Sequence, residues 1–306
     1  MRLAILLGCF AALVLPGVAQ AETALVDVSV ATLWKAPGLA RSMDAPSLGN
    51  PADPRAWSRN LATTADRIWL DSRVQTQALY GQEVVILARR GAWAKVAVVD
   101  EPDPQDPHGY PGWLPLKQLV LGAAVAAGPA AIVTATSSVL RGPEGKLEVS
   151  FATRLPLVRV AGQRAVVLTA RGAEASLPLR AVRIVRAPGH PTGAQVVETT
   201  RRFLGIRYIW GGLSVFGYDC SGLVWAVYRS FGATIPRDAD PQFRGGTAVA
   251  RTQLRPGDLL FYGTQRYVHH VAIYAGGGTM LESPGSAYRV RLVPVRWREF
   301  AGARRY

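Results

Sequence analysis

Tyr218-Asp219-Cys220-Ser221-Gly222-Leu223-Val224-Trp225 is the stretch on which the reading of this chain turns. Leu223, Val224, Val227 and Phe231 recur at helical spacing behind it and Gly232 supplies a stop, so the pattern predicts a helix that opens at Cys220. A thiol in that first turn sits among N–H groups without intrahelical partners, at the positive end of the helix dipole. Both favour the thiolate, the form that attacks carbonyl carbon, which makes Cys220 the candidate nucleophile.

Downstream, a turn signal at Arg255-Pro256-Gly257-Asp258 precedes the apolar run Leu259-Leu260-Phe261-Tyr262. Val268-His269-His270-Val271-Ala272-Ile273-Tyr274 then alternates as a second strand. Neighbouring strand residues face opposite ways, so only one of His269 and His270 can face the cysteine. Past the glycine turn Gly276-Gly277-Gly278, the segment Thr279-Met280-Leu281-Glu282-Ser283 reads as a third strand. Glu282 would there face a histidine and complete a nucleophile, a base and an orienting group; the other reading of Glu282 is an exposed strand-end charge.

These segments, with Trp210-Gly211-Gly212 upstream and Ile235-Pro236-Arg237-Asp238 after the helix, resemble the NlpC/P60 family of papain-like cysteine peptidases over roughly residues 192–306. The resemblance implies an α+β fold with helices packed on an antiparallel sheet, and thiol protease chemistry. It makes the cysteine of Asp-Cys-Ser-Gly the nucleophile, which falls on Cys220. It makes the histidine directly before Val-Ala-Ile-Tyr the base, which falls on His270 and leaves His269 on the other face. The family's third polar position is usually His, Asn or Gln, whereas this chain has Glu282.

Ahead of that domain the text is strand-like and rich in turns. Residues 22–121 predict a small barrel with an insertion at 36–71, which carries four prolines and a helix around 56–64. A small-residue linker, 122–130, leads to a second strand-rich unit at 131–187. Two prolines and two glycines in 187–193 mark the last boundary, and Thr192 can cap a helix over 194–204. Both barrels resemble bacterial SH3-type domains.

One sub-pattern is sharper. Val30-Ala31-Thr32-Leu33-Trp34, Gln75-Thr76-Gln77-Ala78-Leu79-Tyr80-Gly81 and Gly109-Tyr110-Pro111-Gly112-Trp113 resemble the first barrel of the murein-peptide-recycling members of the family, the γ-D-glutamyl-diamino acid dipeptidyl-peptidases. The likeness implies that Asp219, with Tyr208 and Ser221, binds the free amine of an N-terminal L-Ala, and that Tyr110 walls off that end of the site. A helix-capping role is the alternative for Asp219. Those relatives also use an acidic residue after the Tyr-Gly of the barrel. Here the text is Tyr80-Gly81-Gln82-Glu83, so Glu83 is its candidate through a one-residue shift. Ala239 stands where the family often has serine.

Composition bounds the rest. Met1-Arg2-Leu3-Ala4-Ile5-Leu6-Leu7 carries one positive charge into an apolar core, and Ala19-Gln20-Ala21 closes it as a small-x-small cleavage site, so residues 1–21 read as a secretory signal peptide. The expected location is outside the cell, or the periplasm where an outer membrane exists. Cys9 would leave with the signal, and a lone Cys220 in an oxidising compartment is more plausibly reactive than structural. No later apolar run is long enough for a membrane span. A formal net charge of +14 suits acidic wall polymers and peptide carboxylates. Scattered arginines without stacking aromatics disfavour nucleic acid. His108 and His190 lack further ligands at metal spacing, and no cofactor is implied.

The expected substrates are peptidoglycan stem peptides or muropeptides, cleaved between γ-D-Glu and a diamino acid. Alternatives are an endopeptidase on intact wall anchored by its barrels, and a non-catalytic wall-binding protein. An acyltransferase is disfavoured, because in relatives with that activity the histidine precedes the cysteine.

Overall fold

The computed structural model describes residues 22–306, and the expected signal segment 1–21 lies outside the described residues. Three β units follow one another along the chain. The first is a seven-stranded sheet whose strands, counted in chain order, stand as 3-2-6-5-4-1-7. Ala24 and Val26 from near one end of it share a single buried core with Ala78 at the other end and with Val84, Val96 and Leu114 between them. A sheet whose two ends fill one interior has curled on itself. The second unit runs from Ala130–Val133 to Val182–Val185, repeats the strand order 3-2-6-5-4-1-7 and has its own core of Val133, Leu140, Val149, Ala165, Val167 and Leu177.

The insertion holds two short helices, Pro54–Asn60 and Thr64–Ile68, where the sequence reading expects one around 56–64. The cause is local capping. Asp53 accepts from the Ala56 N–H with Pro54 behind it, and Thr63 with Asp66 forms a capping box that starts a new helix three residues after the first ends. Trp57, Leu61 and Leu70 from this insertion bury together with Trp34 and with Ile209 of the C-terminal unit.

The C-terminal unit opens with the helix Gly193–Arg201, capped by Thr192 as its sequence predicts. Its main sheet has six antiparallel strands, in the order Thr247–Val249, Phe300–Arg305, Leu259–Gly263, Val268–Gly276, Thr279–Glu282 and Arg291–Pro294. The helix Cys220–Arg229 packs on one face through Leu223, Val224 and Val227, against Phe261, Val271, Ile273 and Leu281. Leu260, Tyr262, Ala272 and Met280 alternate onto the opposite face and form a separate core with Val295. The helix therefore delivers its N-terminus to the sheet near the start of the central strand. The three units also interlock: Phe151, just after the strand Gly145–Ser150 of the second sheet, packs tilted against Phe203 with ring centroids 4.7 Å apart, and Gln77 of the first accepts from Ser214 at 2.9 Å.

Candidate active site

Asp219 is the N-cap of the Cys220 helix, its carboxylate accepting the Gly222 N–H at 2.6 Å. Residue 222 has to be glycine, because a Cβ there would stand 2.2 Å from the Gly212 carbonyl oxygen, the same oxygen that accepts the Asp219 N–H. This contact holds Trp210-Gly211-Gly212 against the start of the helix. The Cys220 thiol is half-buried, and the N–H groups of Val271 and Ser221 favour its ionised form. Burial nevertheless pushes it up to about 12; the Asp219 carboxylate adds to the rise, and the two N–H donors oppose it. The sequence argument from the helix terminus predicts a thiolate. In the folded protein desolvation and the capping carboxylate work against that terminus.

His270 stands opposite Tyr262 in register, with ring centroids 5.6 Å apart, and is buried. Its Nε2 lies 2.9 Å from Glu282 Oε2. Val271, the next residue, presents its amide to Cys220, so the start of this strand lies against the thiol. Burial lowers His270 below the usual imidazole range, and the Glu282 hydrogen bond and charge pull the other way. His269 is exposed and lines the cavity into which Cys220 opens. Among the described residues its ring has no hydrogen-bonded orienting group.

Glu282 is buried and is no free strand-end charge. Arg291, its cross-strand neighbour in register, reaches Oε1 at 2.9 Å, and Arg296 spans both oxygens at 2.8 and 2.9 Å. Burial works against its ionisation, yet hydrogen bonds from His270 and Arg296 hold it at about 2. His270 thus leans on a carboxylate whose charge two guanidiniums share. Glu282→Gln removes the group that raises His270 and leaves those guanidiniums beside the ring, and both changes make the imidazolium harder to form. The acid limb of kcat/KM is expected to move to lower pH, with kcat down by about tenfold or more; a pH–rate profile checks this, and an unchanged limb would return Glu282 to a merely structural role.

The carboxylate next to the nucleophile meets a cation. Arg237, fully buried, reaches Asp219 Oδ2 at 2.7 Å and Oδ1 at 3.1 Å and donates to Ser221 Oγ at 3.0 Å. Its Nε donates to Thr76 of the first sheet at 2.9 Å, and its backbone N–H to Pro102. Buried Glu101, 3.8 Å from Arg237, is pushed up to about 8 by its burial, against the pull of that guanidinium. One arginine thus ties the helix start to the N-terminal unit. Asp219 combines the capping alternative with a position on the cavity wall.

Tyr208 and Tyr110 line the same cavity of about 280 Å³ with Cys220, Ser221 and Asp238. Burial, then the neighbouring Cys220 and Asp219, raise the Tyr208 hydroxyl well above the phenolic range. Tyr110 donates to Asp238 Oδ2 at 2.8 Å, closing a contact between the first unit and the C-terminal one. Asp238 is pushed up to about 6 by its burial, which Arg237 opposes and Asp219 reinforces.

Glu83 is elsewhere. It starts the strand Glu83–Arg90, its carboxylate accepts the Val125 N–H at 3.0 Å, and it lines a different cavity with Arg154 and Arg229. The preceding Gln82 is turned inward onto the Leu79 N–H at 2.6 Å. From the first unit it is Gln75, Lys35 and Asp103 that reach the Cys220 cavity, beside Tyr110. Sequence reasoning passes over these, and over Arg237, Asp238, Arg291 and Arg296. The Pro-Arg-Asp motif was a signal for the second pair; the others need the strand register and the docking of the units.

The NlpC/P60 family profile matches residues 205–301, and that of the bacterial dipeptidyl-peptidase Sh3 domain matches residues 70–119. The chain is 40% identical over 302 residues to a gamma-D-glutamyl-L-lysine dipeptidyl-peptidase of Bacillus cereus, covering 92% of this chain and 90% of that protein. A Bacillus subtilis protein of the same name is 34% identical over 87% of this chain and 92% of its own length. The crystal structure of a NlpC/P60 family protein from Bacillus cereus superposes with a TM-score of 0.86 at 39% identity, covering 93% of this chain and 99% of that one.

Proposed function

Since this chain belongs to the NlpC/P60 family of cysteine peptidases, we propose that it is an exported dipeptidyl-peptidase that hydrolyses the bond between γ-D-Glu and a diamino acid in peptidoglycan stem peptides bearing a free N-terminal L-Ala. Cys220 is the nucleophile, His270 the base and Glu282 its orienting group. As Sγ attacks the γ-carbonyl carbon, the thiol proton passes to His270, and the positive end of the helix that opens at Cys220 favours the oxyanion. The C–N bond breaks as His270 returns that proton to the leaving amine, giving a thioester. His270 then takes a proton from water as the water oxygen attacks the thioester carbonyl, the C–S bond breaks, the sulfur takes that proton back from His270, and the dipeptide acid is released.

The observation that carries the exopeptidase reading is the Tyr110–Asp238 hydrogen bond at 2.8 Å. It joins two units at the wall of the Cys220 cavity, where Asp103 and Asp219 also stand. A carboxylate-rich wall suits the free ammonium of an N-terminal residue. The identical strand order of the first two sheets supports reading residues 131–187 as a second SH3-type domain. The export proposal rests on the composition of residues 1–21.

The test is to incubate the mature protein with L-Ala-γ-D-Glu-L-Lys and with its N-acetyl form and identify the products by mass. Blocking the amine removes its charge and adds bulk, and is expected to lower kcat/KM by about 100-fold. Equal rates for the two peptides would favour an endopeptidase on intact wall.

A further inference from the structure

His270 does not line the cavity that holds Cys220. It lines a second one of about 440 Å³, on the other side of its strand, together with Tyr262, Pro284, Arg296, Arg298 and Glu299. His269 belongs to the wall of both cavities, so the two meet at the start of the central strand. A group that protonates a leaving amine must face the side on which that amine departs. The acyl half of the substrate belongs with the nucleophile, and the departing half with the second cavity.

The charges in that cavity are partly committed. Arg296 is held by Glu282. Arg298 and Glu299 are exposed, and among the described residues their side chains make no ion pair and no hydrogen bond. Glu299 also has φ 60, in the left-handed region that favours glycine, while its carbonyl accepts the Gly263 N–H at 2.9 Å. A carboxylate side chain is therefore carried at a backbone position where glycine would be easier.

We propose that this second cavity is the subsite for the departing diamino acid, with Glu299 taking its side-chain ammonium and Arg298 its carboxylate. The proposal rests on the γ-glutamyl peptidase reading above. A free diamino acid end offers one cation and one anion beyond the bond being cut, and the cavity offers one uncommitted partner for each. The subsite selects a basic side chain because a neutral one leaves the Glu299 carboxylate without a partner.

Three peptides test it: L-Ala-γ-D-Glu-L-Lys, the same peptide with Nε-acetyl-lysine, and the same peptide as its C-terminal amide. The wild-type protein is expected to favour free lysine over acetyl-lysine, and the free acid over the amide, each by about fivefold in kcat/KM, as suits partly solvated ion pairs. Glu299→Gln is expected to abolish the first preference and keep the second, and Arg298→Ala the reverse. Wild-type rates equal across the three peptides, or variants that keep both ratios, would overturn the subsite and leave the peptidase reading standing. Cleavage of none of the three would overturn both.

Discussion

His270→Ala is expected to lower kcat/KM for L-Ala-γ-D-Glu-L-Lys by about 1,000-fold or more, whereas His269→Ala stays within about tenfold of wild type. The two residues are neighbours on the strand whose Val271 amide faces Cys220, so the contrast isolates what makes an imidazole a base. His269 has the easier access, being exposed on the wall of the nucleophile's cavity. His270 has the fixed ring: Glu282 binds Nε2 at 2.9 Å, which sets the tautomer and leaves Nδ1 to exchange the proton. Burial lowers its affinity for that proton, so it is neutral and ready to accept at neutral pH. The reverse result, with His269→Ala the damaging change, would mean that access outweighs orientation and that the Glu282 contact is scaffolding.

Short-range pattern made the C-terminal unit legible. The helix at Cys220, the strand around His270 and the cap at Thr192 follow from residues within a few positions of one another, and they form as read. The side each histidine takes does not: His269, expected on the far face, lines the Cys220 cavity, and His270 lines the second one. The orienting contact at Glu282 was legible because the glycine turn Gly276-Gly277-Gly278 brings the third strand back beside the second. What escaped depends on distance. The thiol's ionisation is set by how deeply the helix start is buried and by Asp219, and neither follows from the helix dipole. Glu83 was chosen by counting from Tyr80-Gly81, but the strand it opens carries it to another face, and Gln75 reaches the site instead.

Arg237 shows most clearly why position in the text misleads. In the sequence Ile235-Pro236-Arg237-Asp238 is one of the segments that carry the family resemblance, and nothing near it names a partner for the arginine. In the fold its guanidinium is buried between Asp219, Ser221 and Thr76. An unpaired buried guanidinium is costly, so Asp219 cannot readily be withdrawn from it, and the helix start is locked to the N-terminal unit. That lock makes the first sheet part of the site, since Tyr110 and Gln75 hold their places on the cavity wall only while the two units stay docked.

Cys220→Ala is expected to reduce turnover by about 100,000-fold, to the limit of detection, while the protein stays folded. No other thiol exists in residues 22–306 to take over. The cost to stability is small and has an identifiable source. Removing sulfur takes a half-buried atom from beside the Val271 and Ser221 N–H groups, at about 1 kcal/mol, or a few degrees in Tm for a chain of this size. Cys220→Ser separates the two effects, because a hydroxyl can accept from the same donors. It should melt close to wild type and still fail to cleave, since its oxygen is a weaker nucleophile than sulfur at every pH where His270 is the base. Thermal melts and product analysis by mass on both variants are decisive: an alanine protein that still releases the dipeptide would remove Cys220 from the chemistry, and with it the thioester on which the proposed reaction depends.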